Sequence, residues 1–258
     1  MRGTAPRLTQ LGLLVVLIAA LSNLGLLNWD LLVRGAGNIA VFVAAMFPPN
    51  MAVLERVSWA LLETLQIAYV GTALGAVLAL PLAFLATGTL FGPRVTAPTR
   101  FALAFVRTIP ALLWGIVFVV AVGLGPAAGA LGIGLYTLGY LGKLFYEIFE
   151  GVDPEVLEAV RGVGCNRLQL ARFAVLPEAA NGVLAQLLFM FEYNVRASSI
   201  MGFVGAGGVG YYMLGYIQLL RYDALMTAIL VTLVVVLLID WLSHRIRGLF
   251  IQPAAAGV

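Results

Sequence analysis

Glu192 and Arg196 sit four residues apart in an otherwise apolar stretch, with Asn194 between them and Ser198 and Ser199 just beyond. On a helix that spacing puts the carboxylate and the guanidinium on one face, where they can pair. Ionisable groups inside a membrane-length segment cost roughly 2.5 kcal/mol or more, so by default they face a bundle interior or water. Two chemistries fit. The face could line a polar path, with Arg196 attracting an anion, or the pair could only neutralise itself and pin neighbouring helices. The run that follows holds Gly202, Gly205, Gly207, Gly208 and Gly210. Each glycine costs about 1 kcal/mol against alanine in a helix, so a regular helix is not expected there. A turn or re-entrant element at the outer end of the bundle fits better, with backbone approaching backbone near a dimer axis. A phosphate cradle built from its N–H groups is the weaker alternative.

The second group is the polar interruption from Glu158 to Pro177, EAVRGVGCNRLQLARFAVLP. Asp153 suits an N-cap and Pro154 the first helical turn. Gly164 fits a turn between two short helices. Asn166 can cap the second, with Gln169 at capping-box spacing, and Pro177 is expected to end it. Glu158, Ala159, Arg161 and Arg167 then decorate a helix–turn–helix suited to docking a partner.

These groups need a scaffold, and composition names its solvent. The chain of 258 residues is 62% hydrophobic and 10% charged, with mean hydropathy +1.02. Soluble domains are roughly a quarter charged, so lipid surrounds most of this one. We expect an all-α polytopic bundle of about six spans, each of ~20 residues. The apolar segments lie near 9–28, 59–87, 101–123, 127–149, 178–202 and 224–243, with kinks at Pro81 and Pro110. Residues 1–58 would form an N-terminal span plus an interfacial piece around 38–47. Residues 59–250 would form the main membrane domain, with the polar loop at 153–177.

Arginine placement orients the bundle. Arg2, Arg7, Arg94, Arg100, Arg161, Arg167, Arg172, Arg245 and Arg247 fall at one set of ends; Arg34, Arg56 and Arg221 fall at the other. Nine against three puts both termini and the polar loop in the cytoplasm. Among smaller features, Lys143 and Glu147 form an i,i+4 pair, Asp240 could pair with His244, and Tyr136, Tyr140 and Tyr146 suit interfacial belts. One cysteine allows no intramolecular disulfide, and one histidine builds no histidine-rich metal site. The chain has neither a GxxxxGK[ST] phosphate loop nor HExxH, which argues against an ATPase and an intramembrane metalloenzyme.

Glu158-Ala159, Gly164 and Leu176-Pro177 together resemble the EAA loop of permease subunits in bacterial ABC importers. The segment ExNxRASSIMGxVGAGGVG, the pair Pro48-Pro49 and the run from Ala60 to Thr87 narrow the resemblance to phosphonate-type permeases. That resemblance implies a type I importer fold in the bacterial inner membrane and uptake of phosphonate, phosphite or phosphate by alternating access. It implies coupling through Glu158, Ala159, Arg161, Gly164, Arg167 and Pro177. It also implies a second copy of the chain, two ATPase subunits that carry the ATP and magnesium, and a periplasmic or lipid-anchored binding protein. The chain itself would bind no cofactor, and its surroundings would be lipid rather than nucleic acid. Related methionine and betaine permeases share the EAA loop, so those substrates stay open; a passive channel has no reason to carry it.

Overall fold

The computed structural model of the chain describes residues 5–250, and every regular element among them is helical. Residues up to Pro49 form one unit and those from Asn50 onward another. The first holds α1 (Ala5–Asn23) and α2 (Trp29–Ala45). Asn28 caps α2 by accepting from the Leu31 amide at 3.2 Å. So the segment expected to be interfacial at 38–47 is the end of a longer, 17-residue helix. Of the basic residues used for orientation, Arg2 lies outside the described residues.

The second unit runs α3 (Leu54–Ala86), α4 (Pro93–Thr108), α5 (Ala111–Val122), α6 (Pro126–Glu150), α7 (Pro154–Gly162), α8 (Arg167–Leu170), α9 (Leu176–Met201), α10 (Val209–Gln218) and α11 (Tyr222–Phe250). Its centre is α6, which packs on α3, α4, α5 and α9. In lipid, helices associate through close packing and internal hydrogen bonds rather than through exclusion of water, and small residues permit it. Gly71 and Gly75 of α3 face α6 closely enough that a Cβ on Gly75 would lie 2.7 Å from the Gly134 carbonyl oxygen. Gly139 and Gly142 do the same toward α4 around Leu103. The glycines of α6 let several backbones converge on one helix.

Three stretches are long and apolar enough to cross a membrane: Met51–Ala86, Arg167–Val204 and Tyr222–Leu249. The pair α4 and α5 qualifies together but bends by 86°. The expected continuous span at 101–123 is therefore broken at Pro110. Ile109 is extended, as a residue before proline prefers, and α5 starts afresh at Ala111. Pro177 corrects a second expectation. It ends nothing: α8 passes through a π-helical segment, Ala171–Val175, straight into α9, where Pro177 occupies the first turn and needs no N–H partner.

Candidate functional site

At one end of the bundle, α7 and α8 form the helix–turn–helix the sequence announces. Asp153 accepts from the Glu155 amide at 2.9 Å, and Pro154 stands in the first turn of α7. Gly164 turns the chain at φ +82°, the left-handed region open to glycine. Asn166 and Gln169 form a reciprocal capping box, with bonds of 2.9 and 2.8 Å. The underside is apolar: Leu157, Leu170, Ala174 and Val175 are buried with Leu90, Phe149 and Val152. Burying each large apolar side chain stabilises the loop by about 1.5–3 kcal/mol, which seats it firmly. Arg161 ties it to the turn after α3 by donating to the Thr89 carbonyl at 2.7 Å, and the Arg167 guanidinium packs over Phe91. Glu158 and Ala159 are exposed on the outer side, and the Glu158 carboxylate has no hydrogen bond or ion pair among the described residues.

The charged residues of α9 pair differently from the sequence expectation. Arg196 does not pair with Glu192. Its Nη1 donates to both carboxylate oxygens of Asp240 on α11, at 3.0 and 3.1 Å. Glu192 instead accepts from Arg247, also on α11. The two rungs join antiparallel helices, and α11 offers both an acid and a base at the right heights. Asp240 is thereby taken from its expected partner His244. Lys143 and Glu147 do pair, at 2.9 Å.

The polar residues of the same segment split between faces. Asn194 is fully buried and donates to the hydroxyls of Thr72 on α3 and Thr137 on α6, at 2.8 and 2.9 Å. Its Oδ1 has no partner. Ser198, equally buried, donates to the Thr64 carbonyl of α3 at 3.2 Å. Ser199 only bonds back to Val195, at 3.1 Å. Asn194 and Ser198 thus weld α9 to α3 and α6 inside one subunit, whereas Arg196 is exposed on the opposite side.

The glycine run packs against this weld. Gly208 donates to Glu63 Oε1 at 2.9 Å and Val209 to Thr64 Oγ1 at 2.8 Å. Gly125, leading into α6, donates to the Gly205 carbonyl at 2.9 Å. Gly202 and Gly210 meet backbone to backbone, since a Cβ on either would collide with the other's strand of chain. Thr64 lies ten residues into α3, or about 15 Å below its start. The run is therefore re-entrant inside the bundle rather than at its outer end. From there α10 climbs back to the start of α11, where Asn50 and Asp223 bond side chain to side chain at 2.7 Å.

Sequence reasoning missed Thr64, Thr72 and Thr137 as partners of this weld. The signal was present: Thr64 and Thr72 are eight apart, on one face of α3, opposite a polar stretch that needed partners. The Tyr136 ring stacks on those of Tyr140 and Tyr193, with ring centres 6.0 Å apart in both pairs.

Residues 71–250 match the family model described as binding-protein-dependent transport system inner membrane component. Over 236 residues the chain is 36% identical to the phosphite transport system permease protein PtxC of Stutzerimonas stutzeri, covering 91% of this chain and 86% of that one. It is 34% identical over 224 residues to the phosphate-import permease protein PhnE of Mycolicibacterium smegmatis, covering 86% and 42%. Among solved structures it is similar to an inward facing conformation of the MetNI methionine ABC transporter, with TM-score 0.68 and 26% identity over 80% of this chain and 100% of that one.

Proposed function

The chain belongs to the family of binding-protein-dependent transport system inner membrane components, and from that membership we propose that it forms the transmembrane path for a phosphorus oxyanion. It is the permease subunit of an ABC importer, a transport component and not an enzyme. Phosphite, phosphate and phosphonate are the substrates in view. Two copies of the chain would enclose the path, two cytoplasmic ATPase subunits would supply ATP and magnesium, and a binding protein would deliver the anion. Both termini and the α7–α8 loop would face the cytoplasm of an inner membrane.

The observation that carries the coupling role is the unpaired, exposed Glu158 on a capped helix that sits on an apolar base. A docking surface needs both properties: a charge left for the partner, and a seat stiff enough to transmit displacement. ATP binding would draw the two ATPases together and move both loops. Because α8 runs without a break into α9, and α9 is welded to α3 and α6 through Asn194, the push would tilt these helices as one body. The substrate class is supported by the 36% identity to a phosphite permease across most of the chain.

The test is substrate-dependent ATPase activity of the complete complex in nanodiscs, with phosphonate, phosphite, phosphate, methionine and betaine as the panel. Stimulation by a phosphorus oxyanion is expected. Stimulation by methionine or betaine alone would keep the importer and reject the anion. Failure to assemble with any ATPase would reject the coupling role.

A further inference from the structure

Among the described residues of the second unit, Arg56 and Arg221 make no ion pair, and both lie at the end of the bundle away from the coupling loop. Arg56, in the first turns of α3, makes no hydrogen bond or ion pair among the described residues. Arg221, in the turn between α10 and α11, is held in place by its backbone: its amide donates to the Tyr216 carbonyl at 2.9 Å, and its guanidinium packs 5.9 Å from the Tyr216 ring centre. Together with Trp59, Tyr212 and Glu55 they line one open cavity of about 590 Å³. Asp223, the carboxylate nearest in sequence to Arg221, bonds to the neutral Asn50 side chain outside the cavity lining and offsets part of the Arg221 charge. Glu55 is the single acid in the lining, set against two guanidiniums. Within the lining itself the guanidiniums outnumber the carboxylate, and a guanidinium fork suits a tetrahedral oxyanion, to which it can offer two parallel N–H donors.

Position gives the cavity a use. Leu54 and Ala86 are the two ends of α3, about 48 Å apart along the helix. Arg161 of the coupling loop bonds to Thr89, just past Ala86, so the cavity opens at the far end. Tyr212 is shared with a second, smaller cavity of about 280 Å³, whose walls include Glu63, Gly205, Gly207 and Gly208. Tyr212 thus stands between the two arginines and the cavity at the re-entrant glycine run.

We propose that the Arg56–Arg221 cavity is an entry site that binds a phosphorus oxyanion group ahead of the glycine run. The assignment rests on the transport reading given above. The same chemistry could be offered by a free oxyanion or by the phosphate of a phospholipid headgroup, because Trp59 beside the cavity is 66% exposed and faces outward.

Phosphorus NMR of phosphite at millimolar concentration would test it, using the permease–ATPase complex in zwitterionic nanodiscs without binding protein and with the nucleotide sites filled by ADP. Wild type should broaden the phosphite line beyond empty nanodiscs. R56Q/R221Q should weaken that binding about tenfold, the loss of two solvent-exposed charge pairs. R56K/R221K, which keeps both charges but loses the fork, should fall between the two, and R94Q/R245Q, which removes an equal charge at the other end, should keep all of it. Co-purification of the ATPase confirms that each variant is assembled. Repeating the measurement in phosphatidylglycerol nanodiscs separates the two sources. Broadening lost there in wild type, but present in zwitterionic lipid, assigns the site to headgroup phosphate; broadening kept assigns it to the free anion. Equal broadening by wild type and R56Q/R221Q, or none from wild type in either lipid, overturns the proposal. The ATPase panel described above reports on the transport reading separately, so the failure of one is not mistaken for the failure of the other.

Discussion

Arg196 on α9 donates from a single guanidinium nitrogen to both oxygens of Asp240 on α11. The pair is a rung between antiparallel helices, and the Glu192–Arg247 rung lies beside it with the charges reversed between helices. Each helix therefore carries one acid and one base to the same seam. Stranding either charge of a rung in a lipid environment costs about 2.5–3.5 kcal/mol.

The first prediction follows from that cost. R196D alone and D240R alone should each lower the yield and melting temperature of the complex, because each sets like charges face to face. R196D/D240R should recover most of both. Thermal melting by fluorescence-detected gel filtration is the readout, and a double variant as impaired as the singles would remove the rung from the native protein. R196A adds a second question. If it assembles normally yet transports poorly, Arg196 serves the path as well as the seam.

Asn194 gives the second. Its amide donates to two threonine hydroxyls on two other helices. N194A would take the Asn194 donor from both hydroxyls, Thr72 still donating to the Ala68 carbonyl, and leave a small void, for an expected cost of about 1–3 kcal/mol. T137V removes one of the two bonds while keeping volume, and should cost about 0.6–1.7 kcal/mol. The ordering N194A worse than T137V, measured by thermal melting, is the check; equal effects would mean that Thr137 alone anchors Asn194, and a harmless T137V that Thr72 does.

How much of this was legible depends on range. The caps of α7 and α8 involve residues two or three apart, so Asp153, Pro154, Asn166 and Gln169 announced them correctly. The Glu192–Arg196 pairing was a local inference too, and it failed because α11 supplies better placed partners 44 and 55 residues away. Pro110 was visible as a perturbation, but its 86° bend depends on α5 finding room against α6, where Gly132 lies under Gly115. Pro177 misled for the opposite reason. A proline stops a helix arriving from its N-terminal side only when the preceding turn cannot adapt, and the π segment at Ala171–Val175 adapts. The depth of the glycine run could not be read at all, since it is set by Glu63 and Thr64, 145 residues before their partners Gly208 and Val209.

Gly208 supplies the third prediction. It has φ +79°, and a Cβ there would lie 2.7 Å from the Thr64 hydroxyl oxygen. G208A therefore meets both backbone strain and a collision with an oxygen that already accepts from Val209. The combined cost should be about 1–3 kcal/mol, seen as a fall in melting temperature of roughly 3–8 °C. Gly215, whose Cβ would meet nothing within 4 Å, is the matched control in α10. G215A should be neutral or slightly stabilising. Equal tolerance at both positions would show that the run is not held against α3.

The fourth concerns Gly164, where space and conformation part company. A Cβ would meet nothing within 4 Å, so no clash arises, but φ +82° is unfavourable for any side chain. The left-handed conformation costs a non-glycine residue about 1–2 kcal/mol. That strain falls on the turn between α7 and α8, while the buried base around Leu157 and Leu170 keeps the loop attached to the bundle. G164D should therefore leave insertion and amount in the membrane unchanged while reorienting Glu158 and adding a charge beside it. Transport should drop severely, and ATP hydrolysis should lose its dependence on substrate. G162A, in the same loop with open space and ordinary helical backbone, should behave as wild type. Uptake and ATPase activity measured together decide the matter. Normal uptake by G164D at normal protein levels would mean that the loop does not transmit the ATPase stroke. Loss of both activities with loss of the protein would mean that the turn serves folding and not coupling.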